Sequence, residues 1–415
     1  MTPRIPIPPA NGVNLKPQRH YAGAERPRVL HLLTEKVRGG IEEHVLSILI
    51  SLKGYGFEPH LAAPGALLDL LSGELSSTGV WTVAVETASV LNRASVANLR
   101  NYLLTRDLHI VHSHTFLASM FASPIAKMAG VPATVETFHL PEVWRQGKFL
   151  KGSFWIDRQV GRFVDQYVAV SHAAESHLVK RKRIAPQMIR LIHNGRDLIR
   201  FHPPSQRERT EARTALGVED RQVVVTLGRF EIQKGHRFLI EALALLAPQW
   251  PSLIALFAGS GELEADLMLQ RDSATLGERI KFLGMSREPE RILAAADVVV
   301  LPSLFEGLPL TAVEALACAL PMVATDIDGT REVVIHEHTG LLVPPRNPEL
   351  LAFAIAKILT DHTFAKQLGE QGRGYVEKHF DVRMQIEDTV KAYRELLHRK
   401  MATRAQARSD VQSLR

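Results

Sequence analysis

The stretch of sequence that decides the fold is residues 302–321, which read PSLFEGLPLTAVEALACALP. The chain from Leu308 to Ala324 is apolar except for one threonine and Glu314, so a helix formed here is buried on nearly every side. Pro309 fits the first helical turn, where its missing N–H does no harm, and this places Glu306 in the loop before the helix. Eight residues at the helical rise separate the two carboxylates by roughly 12 Å, which suits two parts of one elongated ligand.

The composition is that of a soluble globular protein with two domains. At 415 residues, with 46% hydrophobic and 23% charged residues, the chain is long enough for two cores. A single cysteine, Cys318, excludes an intramolecular disulfide, and we see neither a long apolar run nor a secretory signal, so we expect a cytoplasmic protein. The net charge of +6 fits an ordinary solvated surface or attraction to phosphates or an anionic membrane. No nucleic-acid-binding motif is present, so we expect no nucleic-acid partner.

Short apolar runs alternate with helical stretches through the first half of the chain. We expect the proline-rich residues 1–27 to form a disordered tail. A strand at 28–33 then leads through Gly39 and Gly40 into a helix. Further strands are predicted at 60–63, 81–85, 110–114, 133–139, 166–171 and 189–192. The alternation predicts a Rossmann-like domain with a parallel sheet over residues 28–200.

The same alternation restarts after a proline-bearing linker at 202–206. Strands are predicted at 223–228, 253–258, 280–283, 298–301 and 322–325. The fold class is therefore α/β, with a second Rossmann-like, doubly wound domain over 201–383 that faces the first across a ligand cleft. A long basic helix over 384–415 is expected to pack back across the domain joint.

Two glycine turns precede helices and are candidate anion sites. Gly39 and Gly40 allow a ligand close to the backbone and aim helix N–H groups at it, although a bare tight turn is the simpler interpretation. Near the second turn, Arg229 and Lys234 supply a guanidinium and an ammonium, which together suit a diphosphate. A solvated surface pair is the alternative for these two residues.

The acids of the 302–321 stretch suggest a nucleotide-sugar site. Glu314 can accept hydrogen bonds from a ribose diol, and Glu306 can orient sugar hydroxyls. Leu310 and Thr311 offer backbone N–H groups of the first helical turn to phosphate oxygens. The alternative is a capping acid followed by a buried acid that is bonded to backbone.

Histidines end two predicted strands of the first domain. His112 and His114 are spaced like metal ligands on a strand, but we find no cluster in the sequence that completes a set and expect no metal. His139 could bind a hydroxyl of the donor or be a satisfied core histidine. Asp326 and Asp328 resemble a metal-binding pair but fit a loop and helix cap better.

Taken together, these motifs resemble those of the retaining GT-B glycosyltransferases of family GT4. The resemblance covers roughly residues 28–390 and rests on Gly39–Val45, Thr137–His139, Asn194-Gly195, Gly228-Arg229 with Lys234-Gly235, Ser303–Pro321, and Gly329 with Glu332. It departs from the family at Ala319, where glycine is usual, and at Arg196, where valine or a similar residue is usual.

The resemblance implies which residues bind the sugar donor. It implies a nucleotide-diphosphate sugar as co-substrate, UDP-linked in preference to GDP-linked, with retention of configuration and no obligatory cofactor or metal. Its implied donor contacts are the acids Glu306 and Glu314, the diphosphate clamp of Arg229 and Lys234, the sugar-binding His139, and Gly39, Gly40, Gly307, Leu310 and Thr311. Arg38, His114 and Arg196 are candidate contacts to acceptor or donor.

The acceptor is expected to be a glycan or a lipid-linked sugar in cell-surface polysaccharide or glycolipid synthesis. The segments Lys148–Ile156 and Lys180–Arg183 could bind the cytoplasmic face of an anionic membrane, or form ordinary solvated and packed faces. A nucleotide-sugar 2-epimerase of the same fold and a catalytically silent nucleotide-sugar-binding partner stay open as alternatives.

Overall fold

The chain forms two compact α/β units. The structure is a computed structural model that describes residues 26–36, 38–86, 93–139 and 155–413. Residues 1–25 of the predicted N-terminal tail and nearly all of the Lys148–Ile156 segment fall outside the described residues. Among the described residues, the first unit comprises those up to 170, those from 174 to 192 and those from 385 onward, and the second comprises 171–173 and 193–384.

The first unit is built on a seven-stranded parallel sheet. Its strands are β1 (Arg28–Leu32), β2 (Glu58–Ala63), β3 (Trp81–Ala84), β4 (Ile110–Ser113), β5 (Ala133–Phe138), β6 (Gln166–Ala169) and β7 (Ile189–Leu191). They lie in the order β3-β2-β1-β4-β5-β6-β7. All seven strands predicted for this half of the chain are confirmed. Most of them are buried and stand out in the sequence as short apolar runs, whereas the edge strand β3 is largely exposed.

Helices cover both faces of this sheet. They are α1 (Gly40–Leu52), α2 (Gly65–Thr78), α3 (Arg93–Thr105), α4 (Phe116–Met128), α5 (Trp155–Gly161) and α6 (His172–His177). Leu33 and Leu61 pack with α1 and α2, whereas Leu30 and Val111 pack with α3 and α4. The two faces therefore have separate apolar cores.

The second unit has a six-stranded parallel sheet. Its strands are β8 (Gln222–Leu227), β9 (Leu253–Ala258), β10 (Ile280–Gly284), β11 (Val298–Leu301), β12 (Met322–Thr325) and β13 (Leu341–Val343), in the order β10-β9-β8-β11-β12-β13. The sequence predicted five of these strands and missed β13. Three residues are too few to show a strand pattern, and β13 exists because Leu341 pairs with Val323 of β12.

Helices again surround the sheet of the second unit. They are α7 (Gln206–Leu216), α8 (His236–Leu246), α9 (Glu264–Ser273), α10 (Pro289–Ala294), α11 (Leu310–Ala317), α12 (Asp328–Arg331), α13 (Pro348–Thr360) and α14 (His362–His379). The predicted buried helix is α11, which begins one residue later than expected because Pro309 is its N-cap. Every residue from Ala312 to Cys318 is buried, as the apolar sequence predicts.

The last helix, α15 (Val382–Ser413), belongs to the first unit from Gln385 onward. It fills this unit with Tyr393, which is only 1% exposed and packs against Phe57. Its outer side makes ion pairs with the same unit, from Glu395 to Arg190 and from Lys400 to Asp165. The helix is therefore a structural part of the first unit.

The turn after α11 has an unusual backbone conformation. Ala319 has a φ of +53°, a left-handed conformation in which a side chain is unfavourable and glycine is common after a helix. The turn is also tightly packed, because a Cβ on Gly369 of α14 would lie 2.1 Å from the Ala319 carbonyl oxygen. Alanine at this position therefore destabilises the second unit.

We expect the substitution Ala319→Gly to stabilise the protein by about 1 kcal/mol, because glycine adopts this conformation without steric cost. The midpoint of thermal unfolding should rise by roughly 2–4 °C. Ala315→Gly, inside the same helix, is the matched control and should instead destabilise by about 1 kcal/mol. A fall in the midpoint for Ala319→Gly would show that the turn is not strained.

Candidate functional site

The site of the second unit lies where two neighbouring parallel strands end. β8 and β11 are adjacent in the sheet, with Val224 opposite Val298. The loops that follow them, 228–235 and 302–309, therefore leave the same edge of the sheet. This edge is the usual position of ligands in open α/β sheets.

A buried ion pair joins these two loops. The Glu306 carboxylate accepts hydrogen bonds from Lys234 Nζ at 2.7 Å, from Ser303 Oγ at 2.6 Å and from Gln233 Nε2 at 3.3 Å. The Glu306 side chain is 4% exposed and that of Lys234 is 15% exposed. A buried carboxylate requires this kind of compensation, which holds the loops together.

Glycines allow these loops to approach closely. Gly235 has a φ of +62°, and a Cβ there would lie 2.1 Å from the carbonyl oxygen of Pro302. A Cβ on Gly329 would lie 2.5 Å from the carbonyl oxygens of both Glu306 and Gly307. A side chain on Gly235 would force the two loops apart, and one on Gly329 would force α12 away from the 302–309 loop, so both glycines are needed for this geometry.

Arg229 differs from Lys234 in its surroundings. Its side chain is 54% exposed and pairs with Glu231 at 2.9 Å. An exposed pair of this kind contributes little to stability and is easily exchanged for another partner. Arg229 and Lys234 lie in the loop after β8, as predicted, but only Lys234 is held in place by a buried partner.

Glu314 lies on the buried side of α11 and is paired with Arg196. The guanidinium Nε of Arg196 lies 2.7 Å from Glu314 Oε1, and both side chains are 11% exposed. Backbone hydrogen bonds hold Arg196, from its N–H to the Phe380 carbonyl and from the Val382 N–H to its carbonyl. Arg196, considered from the sequence as a ligand contact, is therefore the partner of the acid.

The first turn of α11 has no side-chain cap. Leu310 and Thr311 are its first two residues. The first amides bonded to backbone are those of Ala312 and Val313, which donate to the Pro309 carbonyl. The orientation of a helix N-terminus favours an anion at this place.

The glycine turn of the first unit is already occupied by acids. Gly39 is the N-cap of α1, and its N–H donates to the Glu42 carboxylate at 2.9 Å. Arg38 pairs with Glu43 and Glu74. A phosphate at Gly39 and Gly40 would therefore have to compete with Glu42.

Five buried histidines meet in the first unit. His114 and His139, the two that the sequence analysis named as candidate contacts, lie with His31, His44 and His112. The centroids of neighbouring rings are 4.2 to 5.8 Å apart. The sequence analysis missed His31 and His44 because a single histidine in a strand or helix carries no functional signal.

Burial keeps four of these histidines, His31, His112, His114 and His139, neutral. Desolvation lowers the pKa of His31 and of His139 to about 3. The pKa values of His112 and His114 are also lowered, first by desolvation and then by the neighbouring histidines. Neutral imidazoles can donate one hydrogen bond and accept another.

Three groups of side chains in the described residues place their ligand atoms within 4.8 Å of one another, as a metal site would. They are His31 with His112 and His114, His44 with His114 and His139, and His172 with His193 and Glu332. In the first group the ring nitrogens are already engaged in hydrogen bonds. The nitrogens of His31 and His114 are 2.8 Å apart, closer than the separation of about 3.3 Å that tetrahedral zinc imposes.

Two other candidates from the sequence have structural roles. Asp326 and Asp328 pair with Arg331 of α12, which agrees with the loop interpretation. Cys318 is buried, and desolvation raises the pKa of its thiol to about 12. A thiol of this kind is a poor nucleophile.

The basic run at 180–183 is not one continuous charged face. Lys180, Arg181 and Arg183 are exposed, but Lys182 is 1% exposed and pairs with Asp157 at 2.8 Å. Its ammonium lies over the Phe116 and Phe138 rings.

Among the described residues, no helix is both long and apolar enough to span a bilayer.

The structure defines a protein with two α/β units, each built on a parallel sheet. Solved structures share the fold. The protein Alr3699/HepE of Anabaena, in complex with UDP and glucose, superposes with a TM-score of 0.76 at 22% identity over 88% of this chain and 98% of that one. The architecture is that of the GT-B proteins.

Sequence comparisons identify the family. The family model "Glycosyl transferases group 1" matches residues 208–375, and "Glycosyltransferase Family 4" matches residues 38–200. The UDP-Gal:alpha-D-GlcNAc-diphosphoundecaprenol alpha-1,3-galactosyltransferase of Escherichia coli is 25% identical over 80% of this chain and 88% of its own length. The alpha-maltose-1-phosphate synthase of Mycolicibacterium smegmatis is 26% identical over 82% and 86%. The chain belongs to the GT4-type, group 1 glycosyltransferases and is a hexosyltransferase.

Proposed function

We propose that this enzyme transfers a hexose, with retention of configuration, from a UDP-sugar to a glycan or lipid-linked acceptor in the synthesis of a cell-surface polysaccharide or glycolipid. The observation that carries the proposal is the buried Lys234–Glu306 pair beside the N-terminus of α11. The pair supports the proposal because an ammonium, which can bind phosphate, lies next to a carboxylate, which can accept hydrogen bonds from sugar hydroxyls.

Lys234 and Arg229 neutralise the diphosphate. Lys234 uses one of its three N–H donors on Glu306 and directs the others to phosphate oxygens. Arg229 leaves its exposed partner Glu231 to join them. The amides of Leu310 and Thr311 bind the same oxygens, and this charge neutralisation lowers the barrier to departure of the nucleotide.

Glu306 and Glu314 bind opposite ends of the donor. Glu306 accepts hydrogen bonds from the hexose beside Gly307, while Glu314 accepts them from the ribose diol. Arg196 holds one oxygen of Glu314 and so orients the carboxylate. A buried carboxylate fixed by a guanidinium loses little freedom when it binds two hydroxyls.

The reaction proceeds on one face of the sugar. The bond from the anomeric carbon to the phosphate oxygen breaks, the acceptor oxygen bonds to that carbon from the same side, and the departing phosphate oxygen takes the acceptor proton. His139, neutral because of its burial, binds the hexose without adding a charge. This route needs no second carboxylate acting as a nucleophile.

Relatives support the choice of donor and acceptor. The Escherichia coli relative uses UDP-Gal and a sugar linked to diphosphoundecaprenol, and the Anabaena structure holds UDP and glucose. Exposed Lys180, Arg181 and Arg183 would add attraction to anionic lipid, at the cytoplasmic face of a membrane.

The test is a turnover assay with UDP-, GDP- and ADP-hexoses, each with and without glycan and lipid-diphosphate acceptors. We expect nucleotide release that depends on acceptor and is fastest with a UDP-hexose, and proton NMR of the product should show the anomeric configuration of the donor. Inversion would overturn the retaining mechanism. Epimerised nucleotide sugar formed without acceptor would identify an epimerase, and binding without turnover a silent partner.

The ribose role of Glu314 predicts a defect in binding. Glu314→Gln should weaken UDP binding about 10-fold in calorimetry, because the amide accepts hydrogen bonds from hydroxyls less strongly than the carboxylate does. The amide oxygen still accepts from Arg196, so the fold is retained. Glu337→Gln, which removes an exposed acid paired with Lys357, is the control. Unchanged affinity for UDP in Glu314→Gln would exclude the ribose contact.

A further inference from the structure

A continuous chain of hydrogen-bonding side chains runs through the core of the first unit. We call it the histidine column, and its members in order are Thr137, His112, Tyr393, His31, His114 and His139. It connects α15 to His139 through β5, β4 and β1. All six residues are buried, and Tyr393 is the only member from α15.

The hydrogen bonds of the column can run from donor to acceptor in either of two directions. Each neutral imidazole carries one N–H, so it donates to one neighbour and accepts from the other. If the Tyr393 hydroxyl donates to His112, then His31, His114 and His139 all carry their proton on Nε2. If Tyr393 donates to His31, these three histidines carry it on Nδ1. The direction therefore sets whether the outer nitrogen of His139 accepts or donates.

The distances at Tyr393 select one direction. Its Oη lies 2.5 Å from His112 Nδ1 and 3.2 Å from His31 Nε2. The short distance is typical of a hydroxyl donor and the longer one of an N–H donor. Tyr393 therefore donates to His112 and accepts from His31.

At the far end of the column the relative acidity of two hydroxyls, and not distance, favours this direction. His112 Nε2 lies 2.6 Å from Thr137 Oγ1, so His112 is close to a hydroxyl on both sides and can accept from only one. The phenol of Tyr393 is more acidic than the Thr137 alcohol and is the better donor. His112 then donates to Thr137.

The remaining contacts carry the direction to His139. His114 Nε2 donates to His31 Nδ1 over 2.8 Å, and His139 Nε2 faces His114 Nδ1 at 3.5 Å, the weakest step. Because an aliphatic alcohol does not give up its proton, the column delivers no net proton to His139. The column only determines which ring nitrogen of each histidine carries the proton that the neutral ring already has.

We propose that the histidine column is a tautomer lock, in which Tyr393 of α15 fixes His139 with its proton on Nε2 and with Nδ1 as a hydrogen-bond acceptor. Tyr393 is thus a positioning residue for a ligand that offers a hydroxyl donor. The ligand assignment rests on the proposed function, in which that hydroxyl belongs to the hexose. The lock itself is a property of the unliganded protein.

The test reads the tautomers directly, without ligand. Protein labelled with nitrogen-15 in histidine is examined by two-bond proton–nitrogen correlation at pH 7.5, with resonances assigned from single His→Gln variants. We expect His31, His114 and His139 to be Nε2–H in the wild type. Nδ1–H or averaged signals for these three residues in the wild type would overturn the lock.

Two variants change the column in different ways. Tyr393→Phe removes the hydroxyl that sets the direction, so the same three histidines should become mixtures of tautomers. Thr137→Val removes the acceptor of His112, so His112 should move its proton to Nδ1 and reverse the column, giving Nδ1–H at His139. Thr137→Val leaves α15 unaltered and keeps the test valid if Tyr393→Phe folds poorly.

Tyr167→Phe is the matched control, because Tyr167 is a phenol of the same unit that is 2% exposed and lies outside the column. It should leave the three histidine signals unchanged. Unchanged signals in both Tyr393→Phe and Thr137→Val would overturn the lock. Stoichiometric zinc binding that shifts the nitrogen-15 signals of His31, His112 and His114 would show that these residues form a metal site and not a tautomer lock.

Measurements of enzyme activity distinguish a failure of the tautomer lock from a failure of the proposed contact between His139 and the hexose. In Tyr393→Phe, kcat/KM for the donor should fall roughly 3- to 10-fold, the effect of one net hydrogen bond. Altered tautomers with unchanged kcat/KM would support the lock and overturn the contact of His139 with the hexose.

Discussion

Replacing Lys234 by methionine is expected to lower kcat at least about 100-fold, because the ammonium stabilises the charge that develops on the departing diphosphate. Methionine keeps the aliphatic stem, which packs against Gly228, and removes only the charge and its donors. The measurement is the initial rate of nucleotide release at saturating acceptor. A kcat within threefold of the wild type would exclude Lys234 from the diphosphate clamp.

The same substitution leaves Glu306 buried without its cation. Ser303 and Gln233 still donate to the carboxylate, but the lost ion pair should reduce the free energy of unfolding by about 3 kcal/mol. Loss of activity could then reflect unfolding. The double variant Lys234→Met/Glu306→Gln separates the two effects, because it removes both charges and should regain stability while kcat remains low.

A lysine outside the site provides the control. Lys357 of α13 also pairs with a glutamate, Glu337, at 3.0 Å, but both side chains are exposed. Lys357→Met should change kcat by less than twofold and the free energy of unfolding by less than about 1 kcal/mol. A large loss of activity in this variant would indicate a general effect of removing positive charge.

Acid is expected to destabilise the first unit well above the pH at which carboxylates protonate. Unfolded histidines bind a proton near pH 6.5, whereas desolvation lowers the pKa of buried His31 and His139 to about 3. Between these values the unfolded state binds more protons, so stability falls as the pH falls. Each such histidine contributes about 1.4 kcal/mol per pH unit.

His112 and His114 add to this effect, because their pKa values are also lowered. Four histidines together should remove several kcal/mol between pH 6.5 and pH 5. The free energy of unfolding in urea, measured at pH 7.5, 6.5 and 5.5, tests this expectation. His139→Gln should reduce the slope by about one proton, and His338→Gln, at an exposed position, is the surface control. Equal stability at pH 7.5 and 5.5 would contradict the burial of neutral histidines.

Much of the fold was predictable because buried parallel strands are short apolar runs with turn residues between them. β11 and β12 were predicted at their observed bounds. β13 was missed because its three residues become a strand only by pairing with β12. The left-handed turn at Ala319 was indicated only by the glycine that family members usually have there.

The acids of the site were also visible in the sequence, because Glu306 and Glu314 interrupt an apolar stretch and a buried carboxylate needs a partner. The partners themselves were not visible. Lys234 was proposed as a phosphate ligand, and its pairing with Glu306 depends on the adjacency of β8 and β11. Arg196 lies 118 residues from Glu314, and no local pattern joins them.

The sequence by itself determined the two α/β domains and the apolar helix with its two acids, because hydrophobic periodicity and turn residues act over a few neighbouring positions. Only the tertiary structure decided which charges neutralise those acids and that the histidine column exists. His31 and Tyr393 are 362 residues apart. Contacts of this kind form only when the strands assemble into the sheet and α15 packs into the first unit. Hydrogen bonds between side chains that are distant in the sequence leave no periodic signal in it.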